Sequence, residues 1–201
     1  MEREVTNYTN ALKHKYNWSE IIGLNEVKGK SSAYPSDYAN ELVRQGNISK
    51  LKTAIKKGLK INQANEIGIY PIHEAVKTNN MPMLELLLTA GADIETRIHP
   101  FAHTPLYIAV EKGYYEIAKF LIRKNAKLYV TDRLSGRTLL HLAAKNNDEE
   151  MAELLINFGV NTLICDKQEL TARDIAAKNN NKALEKTLLK AMQQQALLLE
   201  I

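Results

Sequence analysis

The sequence predicts an all-α solenoid of about five stacked helix-turn-helix units joined by hairpin-like loops. Two observations carry that prediction. Residues able to hold the left-handed backbone that ends a helix recur every 33 or 34 positions, at Gly46, Asn79, Gly113, Asn147 and Asn180. A second series lies twelve residues after each of the first four, at Gly58, Gly91, Asn125 and Gly159. Each period therefore holds two short helices, and a period of this length marks units that bury their apolar faces against one another.

The elements follow in order. Val5, Tyr8, Leu12 and Tyr16 recur at helical spacing, an apolar stripe suited to covering the first unit, and Trp18, Ile21, Ile22 and Leu24 form a second cluster. Lys28-Gly29-Lys30-Ser31-Ser32 is polar, small and without periodicity, as a linker is. Residues 1–34 are thus expected to be a helical cap or extension, or else a separate interaction segment anchored by Trp18. Residues 35–201 hold the repeats, divided near 35–64, 65–98, 99–132, 133–166 and 167–201. Four units open on Tyr70-Pro71-Ile72-His73, Thr104-Pro105-Leu106-Tyr107, Thr138-Leu139-Leu140-His141 and Thr171-Ala172-Arg173-Asp174. Threonine caps exposed amides at a helix start, and proline at the first helical position loses no hydrogen bond. The last helix, begun at Asn181, lacks a stop near Met192, so Leu184, Leu188, Met192 and Leu199 are expected to carry it nearly to Ile201.

The openings, the Leu-Leu helices and turns such as Gly91-Ala92-Asp93-Ile94 resemble the ankyrin repeat family. Thr104 to Asn125 and Thr138 to Gly159 lie close to that family's Thr-Pro-Leu-His, Leu-Leu and Gly-Ala pattern, whereas Asp37 to Gly58 and Thr171 to Met192 are degenerate. Degenerate ends suit terminal units that face water. The resemblance implies a non-catalytic module that binds a protein through a concave groove lined by hairpin tips and the last turns of the first helices. It also implies that His73 and His141 hydrogen-bond neighbouring loops, a role in doubt where Tyr107 and Asp174 replace them.

Composition and motifs argue against several other functions and leave a nucleic-acid-binding or enzymatic protein as the less favoured alternatives. The chain has 201 residues, 45% of them hydrophobic, enough for a continuous core. No run reaches the roughly 20 apolar residues of a membrane span, and Met1 to Asn10 is too polar for a signal peptide, so a cytoplasmic protein is expected. One cysteine, Cys165, supplies neither an internal disulfide nor a cysteine-rich metal site. Net charge is +4, from 27 Lys and Arg against 23 Asp and Glu, without the clustered arginines or stacking aromatics of a nucleic-acid binder. His99 and His103 lie in a proline-containing loop where helical ligand spacing has no meaning. His99-Pro100-Phe101 opens like the signature of Fic-type nucleotidyl transferases, but the acidic residue and anion-binding turn do not follow. No phosphate loop, nucleophile elbow or zinc-protease motif is present. No cofactor, metal or catalytic residue is expected.

What remains is recognition. Reading the tips gives Ile67 and Ile69, then Phe101 and His103, then Leu134 and Arg137, then Leu170. An exposed ladder of Ile69, Phe101, Leu134 and Leu170 would be an apolar interface patch, unless these side chains fold back to fill gaps between hairpins. The loops before Thr104 and Thr138 are one residue longer than the loop before Thr171. Seven residues after each opening stand Arg44, Lys77, Glu111, Lys145 and Lys178, with Lys112 beside the one acid. These cations suit a protein partner with an acidic and apolar surface; cations at helix carboxyl ends also complement the dipole without any partner. A monomer is expected. The richness in Asn and Lys leaves two settings open, an endogenous scaffold or a bacterial effector that binds a host protein in the host cytosol.

Overall fold

A computed structural model describes residues 34–199, which lie in the larger of the chain's two units, residues 34–201. The expected amino-terminal stripe, the Trp18 cluster, the linker and the side chain of Leu199 lie outside the described residues. Ten helices form five pairs among the described residues. The first members are α1 (Tyr38–Arg44), α3 (Pro71–Lys77), α5 (Pro105–Glu111), α7 (Leu139–Lys145) and α9 (Ala172–Lys178). The second members are α2 (Ile48–Lys56), α4 (Met81–Thr89), α6 (Tyr115–Arg123), α8 (Glu149–Asn157) and α10 (Lys182–Leu199). First helices pack side by side in chain order, and so do second helices.

Local chemistry sets these boundaries. All nine predicted stops have positive φ, from 51° at Asn79 to 92° at Gly58. In four of the five units the residue after the first stop caps the second helix with its side chain, the exception being Tyr114. The side chains of Asn47, Asn80, Asp148 and Asn181 accept the backbone N–H of Lys50, Met83, Met151 and Leu184. A stop-and-cap pair thus turns the chain over within two residues. Among the first helices, the Thr104 and Thr171 hydroxyls accept from the Tyr107 and Asp174 N–H groups, and Pro71 and Pro105 open α3 and α5.

The two motif histidines bridge neighbouring loops. His73 accepts the Tyr70 N–H at Nδ1 (3.4 Å) and donates from Nε2 to the Thr96 carbonyl (3.1 Å). His141 accepts the Thr138 N–H at Nδ1 (3.2 Å) and donates from Nε2 to the Leu170 carbonyl (2.9 Å). Both rings are buried, and burial lowers both pKa values, that of His73 to about 4. Asp174 takes over part of the role in the last unit, where Oδ2 accepts from the Thr171 N–H (2.9 Å) and hydroxyl (2.7 Å). Tyr107 does something different, stacking its ring on His103 at 4.1 Å.

The core runs unbroken between the two helix layers. Met83, Ile117, Met151 and Leu184 share one register, and Leu87, Leu121, Leu155 and Leu188 another, all at most 1% exposed. Each such side chain contributes about 1.5–3 kcal/mol on burial. The extension of α10 is held by Gln195, whose Oε1 accepts from the Thr162 N–H (2.9 Å) and hydroxyl (2.8 Å) while its Nε2 donates to the Val160 carbonyl (2.7 Å).

Candidate partner-binding face

First helices bury nearly all of their length and present their carboxyl ends. In α3, α5 and α7 every residue is buried except the last, which leaves Lys77, Glu111 and Lys145 exposed; Lys178 ends α9 in the same way. One position further on, Asn146 donates to the Glu111 carbonyl (3.0 Å), and Asn179 donates to the carbonyls of Ala144 (3.1 Å) and Lys145 (3.4 Å). These amides tie the ends of successive helices together, so Glu111, Lys145 and Lys178 stand in one row. Lys77 joins it electrostatically. Burial lowers its pKa, repulsion from Lys112 and Arg44 adds to that, and attraction by Glu74 and Glu111 opposes it.

Arg44 belongs to the row by register but not by chemistry. Its guanidinium lies 2.9 Å from Asp37, 2.8 Å from Glu41 and 3.6 Å from Glu74. Burial raises the Glu74 pKa against the pull of Arg44. Among the described residues Lys77, Lys112, Lys145 and Lys178 form no ion pair within 4.0 Å. The arginine is consumed internally and the lysines are not.

The hairpin tips are organised by side chains that the sequence reading missed. Asn65, Asp132 and Asp166 each fold a tip by accepting backbone N–H groups two to four residues on: from Ile67 and Ile69, from Leu134 and Ser135, and from Gln168 and Leu170. The aspartates also reach back to the preceding hairpin. Asp132 Oδ2 lies 3.0 Å from His103 Nε2, and Asp166 Oδ2 lies 3.4 Å from Arg137 Nε. Burial works to raise the Asp132 carboxyl, but hydrogen bonds from the Ser135 backbone and hydroxyl and from His103 outweigh it and hold it below the usual range. Asp166 is held low against burial in the same way, by Gln168, Leu170 and Arg137. A signal was available, since Asx residues opening a short polar turn commonly bond to the backbone two residues on.

The structure divides the four apolar tips between the two readings open for them, an exposed ladder and side chains folded back between hairpins. Ile69 is 7% exposed and sits in the interior, while Leu170 is half-buried against the core. Ile69, His103, Arg137 and Leu170 all occupy the position just before a helix cap. There the chain directs the side chain back onto the stack, as in the staple that packs an apolar residue under a helix start. His103 and Arg137 point the same way and pair with the aspartates of the next hairpin. Phe101 is half-buried, its ring 5.4 Å from that of His103 and its carbonyl bonded to the Arg133 N–H at 3.2 Å. Ile67 at 37% and Leu134 at 61% are the apolar tip side chains that face solvent.

The arrangement offers recognition chemistry. Among the described residues no three His, Cys, Asp or Glu side chains converge to hold a metal, and no helix is long and apolar enough to cross a membrane. The family model for ankyrin repeats in three copies matches residues 40–132 and 125–196. The chain belongs to the ankyrin repeat family. Ankyrin repeats are generally protein–protein interaction modules, and the family is typically non-catalytic.

The chain is 32% identical over 127 residues to alpha-latrotoxin-Lg1a of Latrodectus geometricus, covering 62% of this chain and 9% of the toxin. It is 32% identical over 104 residues to the nuclear factor NF-kappa-B p105 subunit of Mus musculus, covering 52% and 11%. It is 32% identical over 115 residues to a putative ankyrin repeat protein of Rickettsia felis, covering 53% and 50%. The matched segments span between 9% and half of these relatives' lengths.

Proposed function

We propose that this ankyrin repeat protein is a non-catalytic adaptor that takes up an acidic protein surface along Lys77, Lys112, Lys145 and Lys178, with Leu134 as an apolar anchor beside the row. The observation that carries the reading is an imbalance of pairing. Asp37, Asp132 and Asp166 are engaged by Arg44, His103 and Arg137, while among the described residues the four lysines make no ion pair within 4.0 Å, Lys77 and Lys178 feeling only the longer-range pull of Glu74, Glu111 and Asp174. Their role as mere helix-end charges is weakened by Asn146 and Asn179, which already satisfy the last carbonyls of α5 and α7. Leu134, held out by the Asp132 turn, is the kind of apolar residue that anchors an interface once desolvated.

The test is affinity capture from cytosolic lysates run in parallel with wild type, Lys112→Glu/Lys145→Glu and Leu134→Asp. A protein held by wild type and lost by both variants, with helicity unchanged by circular dichroism, supports the reading. A protein held equally by all three moves the interaction to another face.

A further inference from the structure

Resting on that reading, we infer that the occupant of the lysine row is an acidic α-helix lying along it, with a carboxylate at every seventh residue. Successive first helices stack side by side, and packed helices lie about 8–10 Å apart. The Asn146 and Asn179 amides hold the ends of α5, α7 and α9 in step, so the helix ends that carry Lys112, Lys145 and Lys178 repeat at that interval. The interval selects among partner conformations. In an extended strand, residues on one face recur at about 6.7 Å and again at about 13 Å, and neither matches. In an α-helix seven residues advance about 10.5 Å and return to nearly the same face. Heptad-spaced Glu or Asp side chains would therefore meet one lysine per repeat.

Length and sign add to the fit. From Lys77 past Lys112 and Lys145 to Lys178 are three intervals, about 30 Å, the span of a helix of about 20 residues. Leu134, in the hairpin before α7, is 61% exposed, so an apolar residue of the partner would bury there. Among the described residues the exposed aromatic side chains are Tyr129 and Phe158, both outside the first helices whose ends carry the lysines, which disfavours a nucleic-acid strand that needs stacking beside the charges.

The experiment uses the full chain and three fluorescent probes: an alanine-based helical peptide with Glu at every seventh position and Leu three residues after each, the same composition with Glu at every second position, and a single-stranded RNA of equal charge. Binding is read by fluorescence anisotropy at low salt. The heptad peptide should bind roughly tenfold more tightly than its rearranged counterpart, and Lys145→Glu should remove the difference. Equal binding of both peptides, lost in Lys145→Glu, overturns the helical occupant and leaves the acidic-partner reading standing. Binding of neither peptide, or binding that Lys145→Glu does not weaken, overturns both. Tighter binding of the RNA overturns both in favour of nucleic acid.

Discussion

His73 shows how much one ring can decide. Its Nδ1 is occupied by a backbone N–H and its Nε2 proton by a carbonyl, so protonation would place a second N–H against a donor in a fully buried site. The folded-state pKa of about 4 lies below the unfolded value of 6.5, so the unfolded chain binds the extra proton first. Stability is thus fully present above pH 6.5, falls as pH drops toward 4, and levels below that, by on the order of 3 kcal/mol for this ring. His141, also lowered by burial, adds to the same slope, and Glu74, raised by burial, opposes it near the lower end. The aspartates held low act below the window, since their folded values lie under the ordinary 3.8. His73→Gln should flatten the dependence of the thermal midpoint on pH between 6.5 and 4.5; an unchanged slope would remove the ring from the account. Gly136 offers a second test of this kind. At φ 71°, with an added Cβ 3.2 Å from Lys167 Cγ and 3.3 Å from its backbone nitrogen, Gly136→Ala should cost about 1–2 kcal/mol in chemical denaturation.

Helices and hairpins were legible in the sequence to different degrees. Each predicted stop is left-handed, because only Gly and Asn hold that backbone cheaply and the chain supplies one at every turn-over. The tips were harder to read. Ile69 and Leu134 are both apolar residues in polar loops, and only the fold separates the position before a cap, which faces the stack, from the turn itself, which faces water. Lateral clamps between hairpins were also hidden, since they join residues about thirty apart. Asn62 Oδ1 accepts the Asp93 N–H (2.8 Å) and Glu95 Oε1 the Lys127 N–H (2.7 Å), a carbonyl-type oxygen of one unit on an amide of the next. At the next equivalent position stands Tyr129, 77% exposed beside a cleft of about 70 Å³ lined by Leu139, Asn161 and Ile164. Tyr129→Asn restores the acceptor, and should raise stability by about 0.5–1 kcal/mol and slow exchange of the Asn161 amide. A lower melting temperature would show that the phenol ring packs better than the clamp bonds. Conversely, Gln195→Ala removes three hydrogen bonds on the Val160–Thr162 edge, and faster amide exchange at Thr162 and in the last turns of α10 is the expected result.

Across the whole stack, repetition turns a weak local feature into a field. A single exposed lysine at a helix end is worth little, but identical ends held in step by Asn146 and Asn179 align one charge per unit, and aligned charges steer and orient an opposite surface. Register made that row visible in the sequence. The pairing that removes Arg44 from it was only partly visible, since Glu41 stands three residues before it on the same helix but the Glu74 carboxylate, one unit away, comes within 3.6 Å of the guanidinium only after α1 and α3 pack. Glu111 is the defect in the row, an acid in the register position that Lys77, Lys145 and Lys178 fill. It attracts Lys77, and any acidic partner must pass it. Glu111→Lys completes the row at an exposed position where neither the core nor a hydrogen bond of the side chain is disturbed. The variant should bind the heptad peptide roughly fivefold more tightly at low salt, with most of the gain lost near 1 M salt, where screening falls to about 3 Å. Stability should drop slightly from added self-repulsion, visible as a lower thermal midpoint that recovers with salt. If affinity does not change, the partner does not travel the length of the row, and the attraction is confined to the ends of α7 and α9, around Lys145 and Lys178.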